Sequence, residues 1–180
     1  QFIGIMNDVR AMLKEIFKTE NEMTFAISAP GSTGMETCMV NFLEPGDEAV
    51  ICVNGVFGGR MVEMAERAGA KVHKVTAEWG EAINPDDVKK ALENCDPKIV
   101  AIVHAETSTG VLQPLEEISK MAHDAGALFV VDAVTSFSGV DLRVDEWGID
   151  AINTGTQKCL SAPPGIAPVS FSKRAVEVVQ

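Results

Sequence analysis

Basic residues are scarce in this sequence. Its 180 residues include 15 Lys and Arg against 26 Asp and Glu, which gives a formal net charge of −11. A surface that binds the phosphate backbone of a nucleic acid needs clustered basic side chains, and the few basic residues here are scattered. We therefore expect no nucleic-acid partner.

Long apolar runs are absent as well. No apolar segment approaches the roughly 20 residues that a membrane-spanning helix needs. The first residues, "QFIGIMNDVR", lack the charged, apolar and small-residue order of a secretory signal. The sequence therefore predicts no membrane partner and no targeting segment.

Paired cysteine motifs are also missing. Cys38, Cys52, Cys95 and Cys159 stand singly, without CxxC spacing. Three of them lie in apolar segments, where a reduced cysteine behaves as a small hydrophobic residue. This usage predicts a cytoplasmic protein, and the lack of any His, Cys and Asp set with ligand spacing predicts no metal site.

What the sequence does contain is a regular alternation of strand-like and helical segments. A hydrophobic content of 46% suffices for an ordinary core. The alternation predicts an α/β fold, with a mostly parallel sheet and helices on both faces. Pro168, inside the last strand, indicates an edge strand or a bulge. The expected strands are 23–28, 49–53, 71–76, 98–106, 127–134, 151–155 and 165–172. The expected helices include one that ends at residue 43, one that begins at Arg60, and one that begins at Pro85 with Asn84 as its cap.

Ligands of such sheets bind at the carboxyl ends of the strands, and several polar residues fall there. Asp132 ends the apolar run "ALFVVDAV", and a buried carboxylate is costly without a cation or several donors. Its partner is either a structural one, such as Arg143 or a helix terminus, or the protonated ring nitrogen of a bound pyridine. His104, near Thr107 on the preceding strand, either lines a site or forms a hydrogen bond at the strand edge.

Two further stretches carry candidate binding residues. In "APGSTG", Gly31 to Thr33 lie between a strand and a helix, where free N–H groups would bind a phosphate or a Ser or Thr would simply cap the helix. In "NTGTQKCLSAPPG", the residues before Lys158 are apolar or small, which places the lysine either at the end of a buried strand or in a solvent-exposed loop. A lysine, a buried aspartate and a phosphate cradle at one sheet edge are what pyridoxal phosphate requires.

The sequence resembles the class V aminotransferases, most nearly the alanine–glyoxylate and serine–pyruvate group. The resemblance rests on "GSTGMET", "FLEPGDEAV", "NGVFGGR", "ERAGAKV", "HAETSTGVLQP", "VVDAVTSFSG" and "NTGTQKCLSAPPG", in that order. It implies the large domain of a fold type I enzyme that depends on pyridoxal phosphate. The implied activity moves an amino group from alanine or serine to a small 2-oxo acid, glyoxylate or pyruvate.

The resemblance also implies roles for individual residues. Lys158 would bind the cofactor covalently and transfer protons, and Asp132 would pair with the ring nitrogen, which makes these two the catalytic residues. Phe57 would stack on the ring, and Thr107 would contact the cofactor through its hydroxyl. The remaining cofactor-binding positions, on the phosphate side, are Gly31, Ser32, Thr33 and Gln157.

The family pattern extends beyond this sequence. It implies a homodimer, and it makes residues 1–180 an incomplete cofactor-binding large domain without the N-terminal segment and the C-terminal small domain. Arg60 and Arg143 are candidates for binding the substrate carboxylate by charge alone. The alternatives are phosphonate transamination, cysteine desulfuration, against which Gln157 in place of a histidine argues, and a large-domain fragment without activity.

Overall fold

The computed structural model describes residues 1–179, so Gln180, the last residue of the expected domain, lies outside the described residues. The strands are β1 (Met23–Ile27), β2 (Glu48–Val53), β3 (Lys71–Thr76), β4 (Pro97–Val103), β5 (Ala105–Glu106), β6 (Val111–Leu112), β7 (Leu128–Asp132), β8 (Ala151–Asn153) and β9 (Ala167–Phe171). The helices are α1 (Phe2–Phe17), α2 (Gly31–Val40), α3 (Val56–Arg67), α4 (Pro85–Leu92), α5 (Glu116–Asp124) and α6 (Lys173–Val179).

Seven of these strands form the central sheet, in the order β1-β9-β8-β7-β4-β2-β3. Strand β9 runs antiparallel to both of its neighbours, and all other adjacent strands of this sheet are parallel. The prediction of a mostly parallel sheet is confirmed. Strands β5 and β6 pair separately as a short antiparallel ribbon.

The prediction that Pro168 marks an edge strand or a bulge is wrong. Strand β9 lies inside the sheet, between β1 and β8, and its pairing register is unbroken. Pro168 accepts a hydrogen bond from the Thr154 amide at 2.9 Å, just beyond the last β8 pair, Asn153 with Val169. The N–H and C=O of a strand residue point to the same side. Pro168 lacks an N–H, but its missing bond would lie beyond the end of β8, so no pairing between β8 and β9 is lost.

Helices cover both faces of the sheet, as predicted. Alternate residues of β2 show the division, because Val50 and Cys52 belong to one core cluster with residues of α1, α4 and α5, whereas Ala49 and Ile51 belong to another with residues of α2, α3 and α6. This burial on both faces is why the central strands have continuous apolar sequences.

The predicted element bounds shift by a few residues. Strand β4 ends at Val103, three residues before the expected end, because the next residues form the ribbon of β5 and β6. Helix α3 begins at Val56, four residues before the expected start at Arg60, and α2 ends at Val40, before the expected end at residue 43. Asn84 caps α4 as predicted, accepting from the Asp86 amide at 3.0 Å.

Helix α3 approaches β2 closely through a glycine. A Cβ on Gly58 would lie 2.8 Å from the Cys52 carbonyl oxygen and 3.0 Å from the Val53 Cα, both backbone atoms that cannot move aside easily. A Cβ on the adjacent Gly59 would meet nothing within 4 Å. Only Gly58 therefore fixes the distance between this helix and the sheet.

Replacing Gly58 with Ala should lower the free energy of unfolding by about 1–3 kcal/mol, the usual cost of overpacking. The matched Gly59→Ala change should stabilise by up to about 1 kcal/mol, since alanine favours the helix. Urea denaturation of both variants measures the difference. Equal effects would contradict the close packing described here.

Candidate active site

A cavity of about 250 Å³ opens at the carboxyl ends of the parallel strands. Strand β4 ends there at Val103 and β7 at Asp132, and the amino ends of α2 and α3 face the same space. Its lining includes these predicted residues: Gly31, Ser32, Phe57, Thr107, Asp132, Gln157 and Lys158. Thr33 does not line the cavity.

The Asp132 carboxyl group is buried at the cavity wall, with 2% of the residue exposed. It accepts hydrogen bonds from the Val134 amide at 2.8 Å and from the Asn153 side-chain amide at 3.3 Å. Burial raises the pKa of Asp132 to about 6, and these two bonds only partly oppose the effect. No salt bridge within residues 1–179 involves Asp132. This site is therefore suited to a positively charged group.

Arg143 does not pair with Asp132. The guanidinium of Arg143 forms ion pairs with Asp141 at 2.7 Å and Glu146 at 2.9 Å on the protein surface. Arg143 does not line the cavity either, so the structure gives no support to it as a substrate-binding residue.

The amino end of α2 presents free amides to the cavity. Its N-cap is Pro30, which forms no side-chain capping bond. The amides of Thr33 and Gly34 donate to the Pro30 carbonyl, at 2.9 and 3.4 Å. Within the described residues, no hydrogen bond uses the amides of Gly31 and Ser32. These two amides and the positive end of the helix dipole form a site suited to an anion, and Thr33 lies one residue too deep to contribute its own amide.

Lys158 lies in a turn rather than at a strand end. Strand β8 ends at Asn153, five residues earlier, and Lys158 is exposed. The turn is anchored by Thr156, whose hydroxyl donates to the Pro163 carbonyl at 2.6 Å, and by Cys159, whose thiol donates to the Thr135 carbonyl at 3.2 Å. The amine is thus carried on a fixed turn at the cavity rim.

Two other walls of the cavity come from helix α3 and the segment after β4. The Arg60 guanidinium lies 4.9 Å from the centre of the Phe57 ring, so one face of that half-buried ring is covered by a cation. The Thr107 and Thr135 hydroxyls are hydrogen-bonded to each other. Both threonines line the cavity and can donate to a bound polar group.

His104 does not line this cavity. It is 3% exposed, and its Nδ1 lies 2.9 Å from the Ser136 hydroxyl. Its ring packs edge-on against Trp147, and burial lowers the pKa of His104 to about 4. Of the two alternatives for this histidine, the structure supports the hydrogen-bonded one.

Comparison with known proteins places this geometry in a family. The family model Aminotransferase class-V matches residues 1–180. The chain belongs to the class-V aminotransferases. An (S)-ureidoglycine–glyoxylate transaminase of Bacillus subtilis (strain 168) is 43% identical over 178 residues, which are 99% of this chain and 43% of that protein. An alanine–glyoxylate aminotransferase of Rattus norvegicus is 40% identical over 97% of this chain and 42% of that protein.

A solved structure agrees with the family assignment. The crystal structure of an alanine–glyoxylate aminotransferase from Nostoc sp. matches with a TM-score of 0.97 and 42% sequence identity, over 99% of this chain and 48% of that chain. The fold type predicted for this class-V chain is thereby confirmed. The chain spans less than half the length of these relatives.

The donor set of the cavity matches the chemistry of a phosphorylated pyridine aldehyde. Two free helix amides suit the phosphate, a primary amine suits the aldehyde, and a buried carboxyl suits a protonated ring nitrogen. The buried Asp132, which lacks a cation among the described residues, is the observation that most favours such a group.

Sequence reasoning missed several residues of the site. Thr135 and Val134 line the cavity, and their position directly after Asp132 could have indicated this. Glu106 shows the same signal as Asp132, an acid at the end of an apolar run, and is 1% exposed. Pro30 and Met35, which also line the cavity, carry no such signal.

A second polar cluster lies at the other end of the sheet. Glu48, His73 and Cys95 bring donor atoms within 4.8 Å of one another. The Glu48 carboxylate already accepts from Lys71 at 2.5 Å, from His73 at 3.2 Å and from the Asp96 amide at 2.9 Å. The Lys71 bond is the main reason that the pKa of Glu48 falls to about 2. The absence of a metal site stays a prediction, because sequence spacing does not reveal donors that folding brings together.

Within residues 1–179, no helix has both the length and the apolar character that crossing a bilayer requires.

Replacing Asp132 with Asn should change how the stability of the cofactor-free protein depends on pH. Burial raises the pKa of Asp132 from its ordinary 3.8 to about 6, so the folded protein holds this proton more tightly than the unfolded chain. The resulting stability is present below about pH 4 and lost as the pH rises through about 6. The loss relative to Asp132→Asn should be on the order of 3 kcal/mol.

Urea denaturation of both proteins between pH 4 and 8 measures this difference. Other carboxyl groups titrate equally in the two proteins, so they cancel in the comparison. Parallel pH profiles would contradict the presence of an uncompensated carboxyl group.

Proposed function

We propose that this class-V chain binds pyridoxal phosphate in the cavity at the strand ends and contributes the catalytic residues of an aminotransferase. The observation that carries the proposal is the buried Asp132 carboxyl, which has two hydrogen-bond donors and no cation among the described residues. A protonated pyridine nitrogen would supply the missing positive charge.

The residues divide the work by their chemistry. When bound, pyridoxal phosphate supplies an electron sink for the electrons that remain when a substrate carbon loses its proton. Asp132 holds a proton on the ring nitrogen, since its negative charge favours the protonated form. Lys158 Nζ holds the cofactor and then moves the proton at the substrate carbon as a general base.

The other residues bind and orient. The free amides of Gly31 and Ser32 bind the phosphate, with Gln157 beside it. Phe57 packs on the ring face, a contact worth about 0.5–1.5 kcal/mol beyond the buried area. The Thr107 hydroxyl donates to a polar atom of the cofactor. Thr33, also proposed for the phosphate site, would act only through its side chain, because its amide is already bonded to Pro30.

Glyoxylate is the acceptor that we propose, with pyruvate as the related alternative. Relatives of this chain are named as glyoxylate aminotransferases, which supports a small 2-oxo acid. Alanine or serine is the proposed amino donor. (S)-Ureidoglycine is the second candidate donor, because the relative from Bacillus subtilis that is 43% identical is named for it.

Removal of the amine should abolish covalent cofactor binding. Wild type mixed with pyridoxal phosphate should show a visible absorption band that Lys158→Ala lacks and that the exposed-lysine control Lys120→Ala retains. Addition of the correct donor should bleach the wild-type band. Alanine, serine and (S)-ureidoglycine are added separately to identify it. A wild-type protein without the band would contradict the proposed function.

We also propose that residues 1–180 belong to a cofactor-binding large domain and that the protein is a homodimer. Both proposals rest on the family resemblance, and the location in the cytoplasm stays a prediction from cysteine usage.

Light scattering over a range of concentrations should give twice the mass of the chain. A monomer at every concentration would contradict the dimer.

A further inference from the structure

Glu106 is a buried acid next to the cavity that the proposed chemistry does not use. It belongs to β5, directly before Thr107, and is 1% exposed. No salt bridge within residues 1–179 involves it. A carboxylate buried in this way must be satisfied by hydrogen bonds.

Its bonds lead to two different parts of the cavity wall. One oxygen, Oε2, accepts from the amides of Phe57 at 3.0 Å and Gly58 at 3.2 Å, in the first turn of α3. The other, Oε1, accepts from the Ser108 amide at 3.1 Å and the Ser108 hydroxyl at 2.7 Å. The side chain therefore joins the helix that carries Phe57 to the segment that carries Thr107.

The local sequence of α3 makes this contact necessary. The N-cap of α3 is Gly55, which offers no side-chain acceptor to the free amides of the first turn. A Cβ on Gly55 would lie 2.4 Å from Glu106 Cγ, so only glycine leaves room for the carboxylate. Glu106 thus caps α3 from another element, where its charge also favours the positive end of the helix dipole.

Ser108 completes the connection. Its hydroxyl accepts from the Val56 amide at 2.9 Å and donates to Glu106 at 2.7 Å. The amides of three successive residues, Val56 to Gly58, are thereby held by one serine and one glutamate from the segment after β4.

We infer that Glu106 is a positioning residue that fixes Phe57 relative to Thr107, so that the ring-binding face and the adjacent polar wall of the cavity keep their separation. The relevance to a bound ring rests on the proposed function, whereas the cap itself does not. All four donors point at the carboxylate, and only a group that accepts through both oxygens satisfies them. A glutamine of the same shape would turn its NH₂ group toward a pair of donors.

The test compares Glu106→Gln with Glu48→Gln. Glu48 is a suitable control because it too accepts a backbone amide, that of Asp96, but begins β2 at the opposite end of the sheet. Amide hydrogen exchange in the cofactor-free protein is measured at Phe57 and Gly58. Loss of a charge-assisted bond should speed exchange there by roughly tenfold or more in Glu106→Gln and leave it unchanged in Glu48→Gln.

A second readout concerns the bound ring. With pyridoxal phosphate added, the circular dichroism of the cofactor band should fall in Glu106→Gln, while the absorption that needs Lys158 remains. Unchanged exchange at α3, or an unchanged dichroic band, would overturn the positioning role. If wild type shows no absorption that needs Lys158, the proposed function fails, and the exchange measurement still decides whether Glu106 holds the helix.

If Glu106→Gln does not fold, Ser108→Ala replaces it in the same measurements. This variant leaves the carboxylate in place and removes the hydroxyl that the Val56 amide uses. Exchange at Val56 should rise by roughly tenfold and the dichroic band should weaken. No change in either quantity would overturn the inference.

Discussion

The cavity of this protein is organised around a carboxyl group that is buried without a neutralising cation among the described residues. Asp132 ends the apolar strand β7 and is 2% exposed. Burial raises the pKa of Asp132 to about 6, although two hydrogen bonds act in the opposite direction. A buried carboxyl with a strongly shifted pKa in a cavity is typical of functional sites, and the same cavity presents an exposed amine and two free helix amides.

Topology explains how residues so distant in the sequence meet. In the main sheet, six strands run in one direction, so the carboxyl ends of β2, β4 and β7 lie at one edge. The helix after β1 brings its free amides to that edge, and the helix after β2 brings Phe57. Gly31 and Gly155 pass close to each other, since a Cβ on Gly155 would lie 3.5 Å from the Gly31 Cα. These small residues let the amino end of α2 and the segment that leads to Lys158 approach one another.

Much of the fold follows from local physical chemistry in the sequence. Continuous apolar runs mark strands buried on both faces, and helical spacing with caps such as Asn84 marks the crossovers. Asp132 was predictable because an acid directly after three buried apolar residues demands a partner. The sequence could not exclude Arg143 as that partner, because Arg143 is close in sequence, whereas the folded chain pairs it with Asp141 on the surface.

The errors share a cause, which is that they depend on contacts between distant segments. Pro168 is tolerated inside the sheet only because β8 is short. The start of α3 four residues early reflects a cap that Glu106 supplies from β5, the strand after β4, which no local pattern around Val56 could indicate. For Lys158 the sequence left a strand end and an exposed loop open, because Thr154 to Thr156 are buried although β8 already ends at Asn153.

The most direct test of the account is a crystal structure of the protein grown with pyridoxal phosphate. We expect density continuous with Lys158 Nζ, the ring nitrogen within hydrogen-bonding distance of the Asp132 carboxyl, and the phosphate on the amides of Gly31 and Ser32. A cofactor bound elsewhere, or a ring nitrogen that faces away from Asp132, would contradict it.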